Sequence, residues 1–285
     1  MTRILSFIKN KTDILFNLSR SRLSFAKKIR IAFWYSYIFI KKNMPGMLRF
    51  KKTRFLGYTA ESFDCKTLFF LFVEIFVNNQ YYFKSDTDEP TIIDCGANIG
   101  MATLYFSFLY PAAHIYSFEP DPGTYALLKK NIEANGLKGA TPLNFAVSDK
   151  SGTVDFFNNN QDGSPVMSTH RERGGDKKIQ VRSIKLSDFI RDTCEKVDYL
   201  KMDVEGSEGV VLEDLSQSGI LGRIESMVIE YHHNTGQKNN SMSKICDILD
   251  SSHFSYNIFN TNNKKDMYEN SYQDIMIYAQ KINRI

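Results

Sequence analysis

From Pro90 onward the chain alternates short apolar segments typical of strands with segments of helical periodicity, and this alternation limits the fold more than any other feature. The predicted strands are Thr91–Cys95, His114–Glu119, Thr141–Val147, Asp198–Val204 and Ser226–Tyr231. The predicted helices are Met101–Tyr110, Thr124–Asn135, Leu186–Thr193 and Glu208–Leu215. Such an order implies βαβ units, and hence an α/β fold whose parallel sheet is covered by helices on both faces.

The last part of the chain carries two more strand patterns, Ser255–Phe259 and Ile275–Lys281, joined by a turn rich in Asn and Lys. These patterns predict an antiparallel addition at the edge of the sheet. Residues 158–178 are polar and contain glycines, so we predict that they form a surface loop.

The net charge of +4 is the sum of two unlike parts of the chain. Residues 1–56 contain 14 of the 36 Lys and Arg residues and a single acid, Asp13, which gives +13. Residues 57–285 contain the other 22 basic residues and 31 acids, which gives −9. We therefore predict a basic, aromatic-rich helical arm over 1–56 and a separate globular domain over 57–285.

Residues 1–40 have helical periodicity, and within them Ile31–Ile40 is apolar or aromatic throughout apart from one serine. Ten residues are too few to span a bilayer, but they suit a helix at a membrane surface or one buried against the domain. A second apolar stretch, Lys66–Val77, predicts a buried helix.

The four cysteines are scattered, with no C-x-x-C pair and no histidine at metal-ligand spacing, so we expect neither disulfides nor a zinc site. Charges at Lys9 and Lys11 interrupt the apolar core that a signal peptide would need. We therefore expect a cytoplasmic domain, with the arm able to bring it to the inner face of the membrane.

The strongest chemical signal is the sequence DCGANIG, Asp94 to Gly100, between a strand and a helix. Glycines at such a turn allow a ligand to approach the backbone closely, next to the free N–H groups that begin the helix. The spacing G-x-N-x-G differs from the G-x-G-x-x-G of dinucleotide folds, and Asp94 would repel a pyrophosphate but attract a sulfonium. This favours S-adenosylmethionine over NAD, and a nicotinamide-dependent dehydrogenase becomes the enzymatic alternative.

Two further acids follow predicted strands. Glu119, 25 residues after Asp94, could accept hydrogen bonds from both ribose hydroxyls of the cofactor. Asp149, after the third strand, could accept the adenine amine, although a simple turn before Gly152 explains it nearly as well.

Charged residues also occur at the ends of the fourth and fifth strands. Lys201 lies within an apolar strand and needs a buried carboxylate partner, and Asp203 and Glu205 follow it on the same side. Glu230 and His232 share one face of the next strand, where either could be a base or, with Asp203, a metal ligand. We rank a base or substrate contact above a metal site, and therefore expect no metal.

The motifs DCGANIG, SFEPDP, AVSD, KMDVEGSE and IEYH, in this order across about residues 70–281, resemble those of the FkbM family of methyltransferases. The resemblance implies a Rossmann-like class I methyltransferase fold: a mostly parallel seven-stranded sheet, helices on both faces and an antiparallel final strand. It also implies S-adenosylmethionine as cofactor and a hydroxyl oxygen as acceptor. By the same resemblance the methionine end meets Asp94, Gly96, Asn98 and Gly100, and the ribose meets Glu119.

For the reaction, we expect Asp203 to be the base that assists the acceptor hydroxyl, with Glu230 or His232 as alternatives and Glu205 as an orienting group. A sugar, a lipid-linked glycan or a related metabolite is the expected acceptor. A non-catalytic binding module that retains the fold is the alternative of another class.

The arm at 1–56 lies outside the resemblance, and its composition suits an anionic membrane surface. An amphipathic cap on the acidic domain explains it equally well. Nucleic acid ranks lower as a partner, because the domain shows no basic groove or nucleic-acid motif.

Overall fold

A seven-stranded sheet forms the centre of the molecule, in a computed structural model that describes residues 18–43, 51–158, 177–233, 241–260 and 273–282. Its strands, in chain order, are β3 (Thr91–Cys95), β4 (His114–Phe118), β5 (Ala140–Leu143), β9 (Val197–Met202), β10 (Ile224–His233), β11 (Phe254–Asn260) and β12 (Gln273–Lys281). The strand order is β11-β12-β10-β9-β3-β4-β5, and β12 alone runs antiparallel to the others. This is the sheet of a class I methyltransferase fold, and it confirms the predicted α/β architecture.

The helices are α1 (Phe25–Lys42), α2 (Cys65–Phe72), α3 (Met101–Leu109), α4 (Pro122–Ala134), α5 (Leu186–Thr193), α6 (Glu208–Gln217) and α7 (Met242–Ser251). A π-helical turn at Val73–Val77 prolongs α2, and a 3₁₀ turn at Ile220–Arg223 precedes β10. Among the helices of the described ranges, none is long and apolar enough to cross a membrane.

Five short strands lie outside the central sheet. A hairpin joins β1 (Lys52–Phe55) to β2 (Tyr58–Glu61), and β6 (Ala146–Ser148), β7 (Gly152–Asn158) and β8 (Lys177–Lys185) form a three-stranded sheet in the order β6-β8-β7. The predicted loop at 158–178 lies almost wholly outside the described residues, and β8 begins at its end.

One prediction about the strands is wrong, and another is confirmed. The segment Thr141–Val147 is not one strand, because the chain bends between β5 and β6, where the Asn144 side chain donates hydrogen bonds to the carbonyls of Glu119 and Pro120 at 2.9 and 3.0 Å. The predicted antiparallel addition at the sheet edge is confirmed: β11 and β12 pair there, and β12 lies between β10 and β11.

The part of the predicted arm that the structure describes, from residue 18 onward, packs against the domain. Ser24 begins α1 by accepting a hydrogen bond from the Lys27 amide, and Ile31, Tyr35 and Ile38 are buried in the same core as the domain residues on α2 and α3. The division at residue 56 stays a prediction; the β1–β2 hairpin spans it.

The order of the strands fixes where a ligand can bind. From β3 the chain first adds β4 and β5 on one side and then returns to place β9 on the other. A crevice opens at such a reversal, outside the carboxyl ends of the two central strands. Asp94 lies opposite Lys201 in this pairing, so the predicted cofactor turn and the KMDVEGSE segment meet at one edge.

Candidate active site

A cavity of about 370 Å³ occupies the crevice at the carboxyl ends of β3, β9 and β10. This volume lies within the range of pockets that hold small ligands. Five carboxylates line it, those of Glu74, Asp203, Glu205, Glu230 and Asp274. The lining also includes the basic side chains of Lys201 and His232 and an apolar wall of Phe70, Leu71, Ile75, Met101 and Ala102. Gly96, Ala97 and Asn98 of the turn after β3 also line it, as do Gln80 and Tyr81.

The glycines of this turn are required by close packing. Gly96 has a φ of +81°, and a Cβ there would collide with the backbone oxygen of Asp203. Gly100 has a φ of +90°, and its Cβ would lie 2.8 Å from Leu128 Cδ1 on α4. Side chains are strained in the left-handed region. Gly96 thus lets the loop after β9 approach the turn, while Gly100 serves helix packing outside the cavity.

Glu119, at the end of β4, fixes the turn after β3 by accepting hydrogen bonds from the backbone. Its carboxylate accepts hydrogen bonds from the backbone N–H of Asn98 and of Asp121, each at 2.9 Å. Burial raises the pKa of Glu119 to about 8, although these hydrogen bonds oppose the shift. The predicted contact of this carboxylate with a ribose stays a prediction; in the structure its contacts fix the backbone at Asn98.

Lys201 is a buried residue of β9 whose ammonium contacts both the turn after β3 and the loop after β9. Its ammonium lies 3.4 Å from carboxylate oxygens of both Asp94 and Asp203 and donates to the Gly96 carbonyl at 2.6 Å. Burial lowers the pKa of Lys201, but the charges of Asp203 and Asp94 outweigh burial and raise it overall. The expectation that Lys201 needs a carboxylate partner agrees with this geometry.

Asp94 is fully buried, and its side chain does not line the cavity but contacts other residues of the protein. One of its oxygens accepts from the Thr103 hydroxyl at 3.1 Å, and the other lies beside Lys201. Burial raises the pKa of Asp94, against the opposing charge of Lys201. The cation that Asp94 meets here is therefore a lysine, and a direct contact with a cofactor stays a prediction.

His232 lies at the end of β10 with 1% of its surface exposed. Its Nδ1 is 2.7 Å from Glu208 Oε1, and its Nε2 is 3.5 Å from Glu205 and 3.8 Å from Asp203. Burial lowers the pKa of His232, but the charges of Glu208 and Glu205 outweigh it and raise the pKa to about 10. This raised pKa favours the protonated imidazolium, in which neither ring nitrogen can accept a proton.

Asp203, Glu205 and His232 offer ligand atoms within 4.8 Å of one another, a spacing that can hold a metal ion. The second nitrogen of His232 contacts Glu208, as it does in many metal sites. Lys201 and the His232 imidazolium already place positive charge against Asp203. The expectation of no metal at this cluster stays a prediction.

Glu230 lines the same cavity and carries a carboxylate suited to exchange a proton. The Tyr81 hydroxyl donates a hydrogen bond to Glu230 Oε2 at 3.3 Å. Burial and the charge of Asp203 raise the pKa of Glu230 to about 8, against the opposing charge of His232. A carboxylate with a pKa near the working pH is an effective general base.

Three acidic or phenolic side chains of the cavity were absent from the sequence prediction: Glu74, Tyr81 and Asp274. Glu74 belongs to the π-helical turn, a feature that often marks functional sites. Burial and the charges of Asp203 and Asp274 raise the pKa of Glu74 to about 7. An acid within the apolar run KTLFFLFVEIFV was the signal that could have revealed it.

Asp149 lies elsewhere than predicted. It follows β6 of the small sheet rather than the third strand of the central sheet, and it does not line the cavity. Its side chain is 37% exposed, accepts from the Ser148 hydroxyl at 3.1 Å and lies 3.9 Å from Lys150. The chain bend at Asn144 is the reason, and the adenine contact stays a prediction.

A second cavity, about 610 Å³ in volume, opens beside the amino-terminal half of β10, where Tyr82, Lys84, Ser226 and Asn257 line it. It is larger but lacks the glycine turn and the group of carboxylates. We place the candidate site in the smaller cavity because chemistry depends on the converging polar groups rather than on volume.

Comparison with known proteins identifies the family. A family model, the Methyltransferase FkbM domain, matches residues 94–257, which contain the glycine turn, Lys201, Asp203, Glu230 and His232. The chain belongs to the FkbM methyltransferase family. It is a methyltransferase, and the family resemblance read from the motifs is confirmed.

The relatives are methyltransferases of fungi and bacteria. Methyltransferase sdnD of Sordaria araneosa is 30% identical over 205 residues, with 56% of this chain and 79% of that protein covered. The 31-O-demethyl-FK506 methyltransferase FkbM of Streptomyces tacrolimicus is 27% identical over 210 residues, covering 62% and 79%. The crystal structure of methyltransferase FkbM from Methylobacillus flagellatus KT has 16% identity and a TM-score of 0.45, covering 75% of this chain and 54% of that one.

Proposed function

We propose that this FkbM-family protein transfers the methyl group of S-adenosylmethionine to a hydroxyl oxygen, with Glu230 as the general base. The observation that carries the proposal is the convergence of a glycine turn and five carboxylates on one cavity at the carboxyl ends of β3, β9 and β10. The glycine turn lets a ligand approach the backbone, and the carboxylates can bind a cationic ligand and accept a proton. Both are needed for methyl transfer from a sulfonium to a hydroxyl.

The charge of the cavity supports a cationic cofactor. Among the residues that the structure describes, its lining holds the five carboxylates named above and, as cationic partners, Lys201 and His232. The raised pKa values of Glu74 and Glu230 follow from burial and from this crowding of negative charge. A sulfonium and an ammonium would relieve the crowding, whereas the pyrophosphate of a nicotinamide cofactor would increase it.

Among the three candidate bases, the contacts favour Glu230. Asp203 is held by the Lys201 ammonium, which lies 3.4 Å from one of its carboxylate oxygens. The raised pKa of His232 favours its protonated form at neutral pH, which cannot accept the proton. Glu230 has neither obstacle, and the Tyr81 hydroxyl orients one of its oxygens.

When bound, S-adenosylmethionine supplies an electrophilic methyl group on a sulfonium. We assign the turn at Gly96 and Asn98 to holding its methionine end, and Glu119 to its ribose. Glu230 orients the acceptor hydroxyl and receives its proton as the oxygen attacks, while Lys201 fixes Asp203 and the turn in place. Most of the catalytic effect comes from holding the reacting groups in line.

A sugar or glycan is the acceptor class that we propose. The name of the Streptomyces tacrolimicus relative, 31-O-demethyl-FK506 methyltransferase FkbM, refers to an oxygen that lacks its methyl group. This name supports an oxygen acceptor for the present protein. The cavity offers several carboxylates to accept hydrogen bonds from neighbouring hydroxyls. The Phe70 ring, 51% exposed at the wall, offers an apolar surface for the carbon face of a sugar.

The experiment combines binding and transfer. Calorimetry with S-adenosylmethionine tests the cofactor, and transfer of a radiolabelled methyl group to a set of methyl hexosides and deoxyhexosides tests the acceptor. We expect Glu230→Gln to lower kcat about 10²- to 10⁴-fold while cofactor binding persists. Glu133→Gln, at a glutamate whose side chain is 64% exposed on α4, is the matched control and leaves both unchanged.

Each outcome bears on a different part of the proposal. A Glu230→Gln protein that keeps kcat within about twofold of the wild type removes Glu230 as the base. Cofactor binding without transfer to any tested glycoside removes the sugar acceptor. No heat with S-adenosylmethionine, in a protein whose circular dichroism shows it folded, removes the proposed cofactor.

A further inference from the structure

Helix α1 presents an apolar stripe to solvent although its opposite face is already buried. The exposed stripe consists of Phe25, Ile29, Phe33, Tyr37 and Ile40, whose exposed fractions are 78, 54, 63, 42 and 60%. We propose that this exposed stripe docks the protein on an anionic lipid membrane, with α1 lying in the plane of the interface.

The spacing makes the stripe a continuous surface. Residues three or four positions apart lie on the same side of a helix, and the members of the stripe are separated by four, four, four and three positions. Ile31, Tyr35 and Ile38 occupy the other side and are buried against the domain. A helix that is apolar on both sides needs a cover for the second side, and an interfacial helix finds it among acyl chains.

The charges around the stripe identify the cover as an anionic bilayer. Lys28, Arg30 and Lys41 lie near the two ends of the stripe, and α1 contains no acid; Lys27 and Lys42 instead contact the domain. Basic residues with interleaved aromatics suit the headgroup region, where anionic lipids attract each nearby Lys or Arg. A protein partner or a second copy of the chain would more often bring neutral or mixed charge to such a surface.

The docked helix is next to the candidate site. On α1, Tyr35 and Phe39 pack against Phe69 of α2, each with ring centroids 5.8 Å apart, and the next residues of α2, Phe70 and Leu71, line the cavity. Docking would therefore hold one wall of the cavity close to the bilayer. If the proposed function is correct, this placement favours acceptors that are themselves attached to lipid.

Vesicle sedimentation of the full chain tests the docking without any knowledge of the acceptor. We expect the wild type to pellet with vesicles that contain phosphatidylglycerol, and weakly or not at all with pure phosphatidylcholine. The variant Phe25→Ser/Ile29→Ser/Phe33→Ser should lower the partition coefficient about tenfold or more, because it removes the insertion surface. Its matched control is Ile258→Ser/Phe259→Ser, which removes two exposed apolar side chains from the edge strand β11.

The charge contribution is measured separately. Neutralising Lys28 and Lys41 to Gln should lower partitioning about fivefold for each residue. The control, Lys129→Gln/Lys150→Gln, makes the same change in net charge at lysines whose side chains are 55 and 83% exposed away from α1. It should leave partitioning within about twofold of the wild type.

Thermal unfolding of each variant shows whether the domain remains folded, and this readout does not depend on the cofactor. The docking is wrong if the triple variant pellets as the wild type does, or if both lysine variants lose equal affinity. It is also wrong if the wild type ignores anionic vesicles and instead forms a dimer in analytical ultracentrifugation that the triple variant abolishes. Loss of vesicle binding with cofactor binding intact supports it.

Discussion

Replacing Lys201 by Met should destabilise the fold severely, although the two side chains are similar in size. Lys201 is 2% exposed and balances two carboxylates, Asp94 and Asp203, each 3.4 Å away. Removing one partner of a buried ion pair costs about 3–5 kcal/mol, because the other charge stays buried without compensation. We expect a loss in this range at pH 8 in the free energy of unfolding, measured by urea denaturation.

The pH dependence identifies the carboxylate responsible. Burial already raises the pKa of Asp94 above its unfolded value, and loss of the Lys201 charge raises it further. Above the unfolded pKa, the folded variant then binds more protons than the unfolded chain, so its stability falls as the pH rises. The slope approaches about 1.4 kcal/mol per pH unit wherever the native carboxyl keeps its proton. The penalty should therefore be smaller at pH 5 than at pH 8.

Two comparison variants separate this effect from general disruption. Lys196→Met changes a lysine just before the same strand, 55% exposed and 3.1 Å from Asp198, and should cost no more than about 1 kcal/mol. Adding Asp94→Asn to Lys201→Met should restore part of the loss and flatten the pH dependence. A Lys201→Met protein as stable as Lys196→Met at pH 8 would refute the reasoning.

Two further predictions concern the rate and the glycines. The kcat/KM for methyl transfer should rise with pH through the pKa of Glu230, about 8, because only the deprotonated carboxylate can act as base; a pH–rate profile that is flat between pH 6 and 9 contradicts this. The profile of kcat should be displaced to lower pH, since a bound cation stabilises the carboxylate. Among alanine variants, the melting temperature should fall least for Gly57→Ala, because a Cβ there meets nothing within 4 Å. It should fall further for Gly100→Ala, where the flexible end of a leucine must move, and most for Gly96→Ala, where backbone must move. Equal losses of melting temperature at all three positions would contradict the packing described for the turn.

The central sheet could be predicted from the sequence because its signals are local. The predicted strand Thr91–Cys95 and helix Leu186–Thr193 coincide with β3 and α5. From α3 onward, the other predicted helices and strands begin and end within two residues of the observed ones, apart from the third strand, which is split. That split could not be predicted, because it depends on contacts of Asn144 with the end of β4, about 25 residues away in sequence. The hairpin β1–β2 and helix α7 were also missed.

The candidate site was predicted in outline because the carboxyl ends of parallel strands meet at one edge of a sheet. The convergence of Asp203, Glu205, Glu230 and His232 follows from this rule and from the motifs. Their ionisation could not be predicted. Burial opposes a charge on His232, but Glu208, 24 residues earlier in the chain, lies against its ring and raises its pKa. Burial and the charge of Asp203 raise the pKa of Glu230.

Side chains from outside the motifs complete the site. Tyr81 and Glu74 come from the segment before β3, and Asp274 comes from β12. Sequence patterns identify such segments as apolar helix or strand but do not indicate which of their residues will face a cavity formed by distant strands. Tertiary packing determines that, and for Glu74 the π-helical turn contributes to it.

A crystal structure of the full chain grown with S-adenosylmethionine would test the assignment of the site most directly. We predict one cofactor molecule in the 370 Å³ cavity, with its methionine end against Gly96 and Asn98 and its sulfonium on the side of the cavity that carries Glu230. Density for the cofactor in the 610 Å³ cavity beside the amino-terminal half of β10, or none at saturating concentration, would contradict the assignment.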